Sequence, residues 1–184
     1  MRICSLVPAA TEVLFGLGLG DSVVGVTHEC DWPPDAATRP VVSAALLETG
    51  DLGSGEVDEL VRAAARDGRP LYAIDEERWA ELAPDVVVTQ GLCDVCAVSG
   101  DQVSGLSRAR RLDVDVLDYS PTTLGGIVDG IVELGRSLGA EGQAEELAAG
   151  LGNRLDRVSA ALAGAESSPQ VFVTEWLEPP YSAG

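Results

Sequence analysis

The sequence has 184 residues, of which 46% are apolar and 4% aromatic, a composition that fits one globular core or two small lobes and excludes a disordered chain. It carries 30 acidic residues against 12 basic ones, all of them arginine, for a net charge of -18. Such a charge excludes a broad basic surface for nucleic acid or an anionic membrane, and it informs on solubility more than on function.

Short apolar runs alternate with helical patterns along the first 119 residues. The runs predict strands, and the segments between them predict helices, the first of which starts at Pro8. Ser54 and Asp75 are predicted N-caps of two further helices. The predicted strands cover 2–7, 23–27, 41–43, 71–74, 84–89 and 113–119. This alternation predicts an α/β fold with a parallel sheet over residues 1–119.

The second part of the sequence is predicted to be mainly helical. Ser120-Pro121-Thr122-Thr123 is typical of a helix start and predicts a long helix over 120–139. A second helix is predicted over 141–163 and a strand over 171–174, which we expect to belong to a new sheet.

Two loops combine residue types that carry chemistry. His28-Glu29-Cys30 follows the strand at 23–27, and Cys93-Asp94-Val95-Cys96 follows the strand at 84–89. Together they hold the single histidine and three of the four cysteines of the sequence. Because ligands of open α/β sheets bind beyond the carboxyl ends of the strands, both loops are candidates for one site.

Four segments, in order along the whole chain, resemble the cobalamin-binding branch of the substrate-binding proteins of ABC importers. That class also includes iron-siderophore and haem binding proteins. The segments are Ser5-Leu6-Val7-Pro8-Ala9-Ala10-Thr11-Glu12, Val24-Gly25-Val26 with Asp31-Trp32-Pro33-Pro34, Leu82-Ala83-Pro84-Asp85-Val86-Val87-Val88, and Pro179-Pro180-Tyr181-Ser182-Ala183-Gly184. The His28 and Cys93 signatures resemble those of a leaderless subgroup of this family.

The resemblance implies two α/β lobes joined by one long helix, with the ligand between them. On this basis we expect an N-terminal lobe over 1–119, an interlobe helix over 120–139 and the start of a second lobe over 140–184. Since the family's second lobe needs more chain than the residues after Gly139, we expect the second lobe to be truncated.

The resemblance also implies ligand-binding positions. Trp32 and Tyr181 match aromatic positions that contact the corrin in cobalamin binders, whereas Gln90 and Ala45 stand where known members carry tryptophan. The expected ligand-binding set is Pro8, Ala9, His28, Trp32, Gln90, Leu92, Trp176 and Tyr181. Glu77 matches a glutamate that docks onto an ABC permease, the partner that the family implies.

The residues themselves leave three kinds of site open. His28 can be an axial donor to the cobalt of a corrinoid, with Trp32 stacked on the ring. Alternatively His28, Cys30, Cys93 and Cys96 can bind zinc, or iron and sulfide. Thiol redox chemistry at the C-x-x-C pair is the third option.

We predict a binding protein and not an enzyme, because no carboxylates are paired in a defined way and no second histidine can serve as a base for a serine. No apolar run approaches about 18 residues, so we expect no membrane insertion. The sequence as given has no secretion signal at its start, which leads us to expect a cytoplasmic protein, or a periplasmic or extracellular one if the true N-terminus is missing.

Overall fold

The structure is a computed structural model, and it describes residues 1–91, 98, 100–110 and 113–182, apart from the side chain of Asp101. The predicted ligand residue Leu92 and the predicted metal ligands Cys93 and Cys96 lie outside the described residues. The elements in chain order are β1 Ile3–Ser5, α1 Pro8–Gly16, β2 Val23–Val26, β3 Ser43–Ala45, α2 Ser54–Arg66, β4 Tyr72–Ile74, α3 Glu76–Leu82, β5 Val86–Thr89, α4 Gly100–Arg110, β6 Asp115–Asp118, α5 Leu124–Ser137, α6 Glu141–Leu162, β7 Thr174–Leu177 and β8 Pro180–Ser182.

A parallel sheet forms the centre of the described structure, with the strand order β2-β1-β5-β6. Ile3 of β1 pairs with Val23 on one side and with Val86 on the other. Each residue of β5 is buried, as expected for a strand with both faces covered. The predicted α/β fold with a parallel sheet is therefore confirmed.

Two apolar clusters cover the faces of this sheet. One contains residues of β1, α1 and α5, among them Ile3, Leu14 and Leu134. The other surrounds the fully buried Trp79 of α3 and includes Cys4. The side chains of adjacent β1 residues thus point to opposite faces, which is the alternation of an extended strand.

The strands β3 and β4 pair antiparallel with each other and lie outside the central sheet, which differs from the prediction. Val41 forms one parallel bridge with Val26, and the chain then turns into β3. The physical reason lies in their exposure: Ala44 and Ala45 of β3 are exposed, and the residues of β4 are only partly buried. Such a strand cannot occupy the interior of a sheet covered on both faces.

Polar caps fix the starts of α3 and α5, and the cap of α3 is the predicted one. The Asp75 side chain accepts a hydrogen bond from the Arg78 amide, and the Thr123 hydroxyl accepts one from the Gly126 amide. The predicted cap Ser54 is already the first residue of α2. The helix predicted over 120–139 is shorter, since Thr123 is its cap and α5 begins at Leu124.

The strand predicted over 171–174 is wrong. Val171, Phe172 and Val173 are exposed and outside any strand, and β7 begins at Thr174 and pairs antiparallel with β8. The apolar run has no neighbouring strand among the described residues, whereas the Glu178-Pro179 turn brings β7 and β8 together.

The division into two lobes and an interlobe helix stays a prediction. Among the described helices, none is both long and apolar enough to cross a membrane.

Candidate functional site

The loop after β2 and the residues after β5 lie at the same edge of the sheet. This follows from the parallel register, in which Ser5 at the end of β1 pairs with Val26 of β2 and with Val88 of β5. The N-terminus of α1 emerges at the same edge. The structure therefore places the start of the His28 loop and the residues that precede the Cys93 loop at one edge of the sheet, with the end of β1 between them.

His28 lines a small cavity at this edge. Its side chain is 26% exposed, and Nδ1 lies 3.0 Å from the hydroxyl oxygen of Ser43 in β3. The ring is tilted against Tyr72 of β4, with 5.6 Å between the ring centroids. The cavity has a volume of about 250 Å³, and its lining consists of Leu6, Pro8, Thr27, His28, Glu29, Ser43, Tyr72 and Val98.

Cys30 faces the protein interior. Its side chain is 5% exposed, and Sγ lies 3.1 Å from Oγ1 of Thr11 and 3.3 Å from Oγ1 of Thr27. Thr11 also donates a hydrogen bond to Ser5, so the thiol is part of a buried hydrogen-bonded group beneath the loop. Among the described residues, no group of three His, Cys, Asp or Glu side chains is arranged to hold a metal ion.

A second, larger cavity lies on the other side of the start of α1. Its volume is about 510 Å³, and it opens between α1, the ends of β5 and β6, and the helices α5 and α6. Ala9 and Gln90 from the predicted set line it. The remaining lining is mainly apolar: Glu12, Val13, Gly16, Tyr119, Ser120, Pro121, Ile127, Ile131, Leu147 and Leu151.

Sequence reasoning missed Tyr119 and Ser120 as site residues. Both follow directly after β6, so the rule that selected the loops after β2 and β5 would also have found them. Tyr119 is 4% exposed, and burial raises the pKa of its hydroxyl. The contributions of α5 and α6 could not be read from the sequence, because their helical periodicity shows only that one face is buried.

Asp118 connects the end of β6 to the residue that begins the loop after β5. Its Oδ1 accepts hydrogen bonds from the Gly91 amide at 2.7 Å and from the Ser120 hydroxyl at 2.5 Å. The Gly91 amide also donates to the Ser120 oxygen at 2.9 Å. These bonds fix the backbone beside Gln90 relative to the segment that leads into α5.

The predicted aromatic residues line neither cavity. Trp32 is 61% exposed on the loop after β2. Trp176 is half-buried and donates its indole N–H to the Glu178 carbonyl oxygen at 2.9 Å. The structure thus leaves the Trp32 ring open to a partner in solution.

Tyr181 contacts helix α2 of the N-terminal region. Its hydroxyl accepts a hydrogen bond from Arg62 and donates one to Asp58 at 3.2 Å, and the Arg62 guanidinium lies over the tyrosine ring. The hydrogen bond to Tyr181, and then the charge of Asp58, raise the pKa of Arg62 above its ordinary value. Glu77, the predicted permease contact, is exposed in the first turn of α3.

Comparison with known proteins gives a family and several structural relatives. The sequence model of the family described as "Periplasmic binding protein" matches residues 3–184. The vitamin B12-binding protein of Vibrio cholerae is 29% identical over 133 residues, which are 72% of this chain and 36% of that protein.

Two solved structures are similar in fold. The periplasmic vitamin B12 binding protein of Vibrio cholerae has a TM-score of 0.64 at 22% identity, over 97% of this chain and 57% of that one. A periplasmic haem binding protein from Pseudomonas aeruginosa also has a TM-score of 0.64, at 19% identity, over 94% of this chain and 52% of that one. The chain thus spans little more than half the length of these structures.

The cytoplasmic location expected from the sequence finds no support in relatives named as periplasmic. Because the family model covers nearly all of the sequence, the chain belongs to the periplasmic binding protein family.

Proposed function

We propose that this chain acts in a solute-binding protein of an ABC importer that takes cobalamin or a related metal tetrapyrrole. The observation that carries the proposal is the pair of cavities on either side of the start of α1. Pro8 lines the cavity that contains His28, and the next residue, Ala9, lines the larger apolar cavity. A metal tetrapyrrole combines a large ring with a central metal, and these neighbouring cavities offer apolar surface for the ring and an imidazole for the metal.

The larger cavity offers both apolar and polar groups to a macrocycle such as a corrin, whose rim carries methyl groups and amide side chains. Ile127, Ile131 and Leu151 offer aliphatic surface, while the Gln90 amide and the Ser120 hydroxyl offer a few polar contacts. Ligand sites commonly combine such surfaces with a small number of placed polar groups. The exposed Trp32 adds an aromatic ring at the same edge of the sheet, where it can stack on a flat ligand.

The relatives are named for binding vitamin B12 or haem, and electrostatic charge distinguishes between these two ligands. The chain carries a net charge of -18, and the described lining of the two cavities contains Glu12 and Glu29 without an arginine. A haem with two carboxylates would meet like charge, whereas aquocobalamin is a cation. We therefore place a corrinoid ahead of haem as the ligand.

The zinc, iron-sulfur and thiol-redox alternatives lack a supporting contact among the described residues. Cys30 bonds to threonine hydroxyls instead of facing the His28 cavity. A permease partner is part of the proposed function, with the exposed Glu77 as a candidate contact. Glu77→Ala should leave the ligand affinity unchanged and weaken only the association with a permease.

The test is a titration of the purified chain with hydroxocobalamin and, separately, with ferric haem, followed by absorption spectra. Ile127→Asn places a polar group in the apolar cavity and should weaken corrinoid binding severalfold. Leu155→Asn is the matched control, because Leu155 is equally exposed, at 38%, and lies outside both cavity linings. The proposal fails if neither ligand binds to the wild-type chain, or if the two variants weaken binding equally.

A further inference from the structure

The two ring nitrogens of His28 have different surroundings. Nδ1 lies 3.0 Å from the hydroxyl oxygen of Ser43, which is 6% exposed. Nε2 lies 3.4 Å from a carboxylate oxygen of Glu29, whose side chain is 68% exposed. The first contact is a partly buried hydrogen bond of normal length, whereas the second is a loose contact between groups that water reaches. The bond to Ser43 is therefore the one that orients the ring.

The antiparallel pair β3–β4 supplies both supports of the imidazole. Ser43 pairs with Ile74 and Ala45 pairs with Tyr72, so Ser43 and Tyr72 stand two residues apart on neighbouring strands. Ser43 binds the ring at Nδ1, and the Tyr72 ring packs against it. The β3–β4 pair, although it lies outside the central sheet, thus supplies two of the contacts of the imidazole.

We infer that Ser43 accepts the Nδ1 proton of His28 and so keeps the Nε2 lone pair free to bind the metal of the ligand. The inference rests on the proposed function. Ser43 and Glu29 both line the cavity with His28, but Glu29, the neighbour of Nε2, is 68% exposed, so the Nε2 edge is the more open edge of the ring. A neutral imidazole that donates at one nitrogen is held as a metal donor at the other. Ser43 is then a positioning residue.

This geometry restricts the class of ligand. For Nε2 to bind, a water or hydroxide must leave the axial position of the metal, the Nε2–metal bond replacing the oxygen–metal bond with no change in oxidation state. A complex with two inert axial groups, such as cyanide on both faces, offers no such position. The preferred ligands are therefore metal tetrapyrroles with an exchangeable axial water.

The first experiment examines the ring without any ligand. The chain contains one histidine, so long-range ¹⁵N–¹H correlation spectra of labelled protein report on His28 alone. At a pH where the ring is neutral, the wild type should show the Nδ1–H tautomer, Ser43→Ala should lose this preference, and Ser43→Thr should restore it. An Nε2–H tautomer in the wild type would overturn the inference.

Ser107→Ala is the matched control. Ser107 is 5% exposed, and its hydroxyl has no hydrogen-bond partner among the described residues. The substitution removes an equally buried serine hydroxyl without a bond to His28. If Ser107→Ala changed the tautomer as much as Ser43→Ala does, the effect of Ser43 would be general and the inference would fail.

The second experiment compares diaquocobinamide with dicyanocobinamide. His28→Ala and Ser43→Ala should each lower the affinity for the diaquo form by about tenfold or more, with loss of the imidazole-bound spectrum, and leave the affinity for the dicyano form unchanged. Equal binding of both forms to wild type and variants would overturn the inference and keep the proposed function. Binding of neither form, nor of hydroxocobalamin, to the wild type would overturn both.

Discussion

The thiol of Cys30 and the hydroxyl of Thr11 lie 3.1 Å apart in the protein interior, although Cys30 belongs to the loop that carries His28. This contact separates the two side chains that the sequence places two positions apart: His28 lines a cavity, and Cys30 anchors the loop to α1. A role for Cys30 in holding the loop leads to the first prediction.

Cys30→Ala should lower the free energy of unfolding by about 1–3 kcal/mol, because it removes the contacts to Thr11 and Thr27 and leaves space behind. It should leave corrinoid affinity within about twofold. Urea unfolding and ligand titration measure the two effects. A metal ion present in stoichiometric amount in the wild type and lost in Cys30→Ala would contradict this assignment.

Alkaline pH should destabilise the fold through Cys4. Burial raises the pKa of this thiol from 9.0 to about 12, with a smaller opposing effect of Arg2. Because the folded state favours the neutral thiol, its contribution to stability is complete below about pH 9 and is lost as the pH rises towards 12. Urea midpoints of wild type and Cys4→Ala should therefore converge between pH 8 and pH 11. Parallel curves would show that Cys4 does not contribute.

Gly135 allows the close approach of α5 and α6. A Cβ atom at this position would lie 2.2 Å from Cβ of Ala144 and 3.1 Å from the Ala140 carbonyl oxygen. Gly135→Ala should therefore destabilise the protein by about 1–3 kcal/mol in chemical unfolding.

Gly150→Ala is the control for this substitution. Gly150 lies inside α6, and a Cβ atom there would meet no other atom within 4 Å. The change should stabilise the protein by about 0.5–1 kcal/mol, since alanine is the better helix residue. Similar effects of both substitutions would mean that the helices do not pack as described.

Tyr181 should hold the β7–β8 hairpin on α2. Tyr181→Phe removes the hydroxyl that joins Arg62 and Asp58 while keeping the ring beneath the guanidinium. Amide hydrogen exchange over 174–182 should become faster in this variant. Arg66→Gln, one turn further along α2, should leave that exchange unchanged. Equal exchange in wild type and Tyr181→Phe would show that the hydroxyl does not secure the hairpin.

Trp32 should report ligand binding directly. Its ring is 61% exposed, whereas Trp79 is fully buried in the core. Hydroxocobalamin should quench the tryptophan emission of the wild type, and Trp32→Ala should remove most of the quenching and weaken binding by about two- to tenfold. Trp176→Phe serves as the comparison. Quenching that persists in Trp32→Ala would place the ligand elsewhere.

The sequence predicted the central fold because its signals are local and repeated. The run Val86-Val87-Val88 predicts a strand buried on both faces, and the structure buries all of β5. The cap Asp75 forms as predicted, since such side chains satisfy amides within one helical turn. The edge at which the His28 loop lies follows from the parallel order of the strands.

The predictions that failed concern which strands pair with each other, and this depends on residues far apart in the sequence. Val171, Phe172 and Val173 have the composition of a strand but lie outside one, because a strand needs a neighbour to pair with. The antiparallel pairing of β3 with β4 was not predicted for a similar reason. Three residues with two exposed alanines give little pattern from which to choose a partner or a direction.

The sequence by itself determined the α/β class, the family resemblance and the single histidine at a strand end, because each of these depends on residues close together in the chain. Only the tertiary structure decided what surrounds that histidine. Ser43 lies 15 positions from His28, and Cys30, two positions away, turns into the core. Hydrogen bonds and burial depend on distances in space. In this loop His28 contacts the distant Ser43, while the nearby Cys30 contacts Thr11 and Thr27.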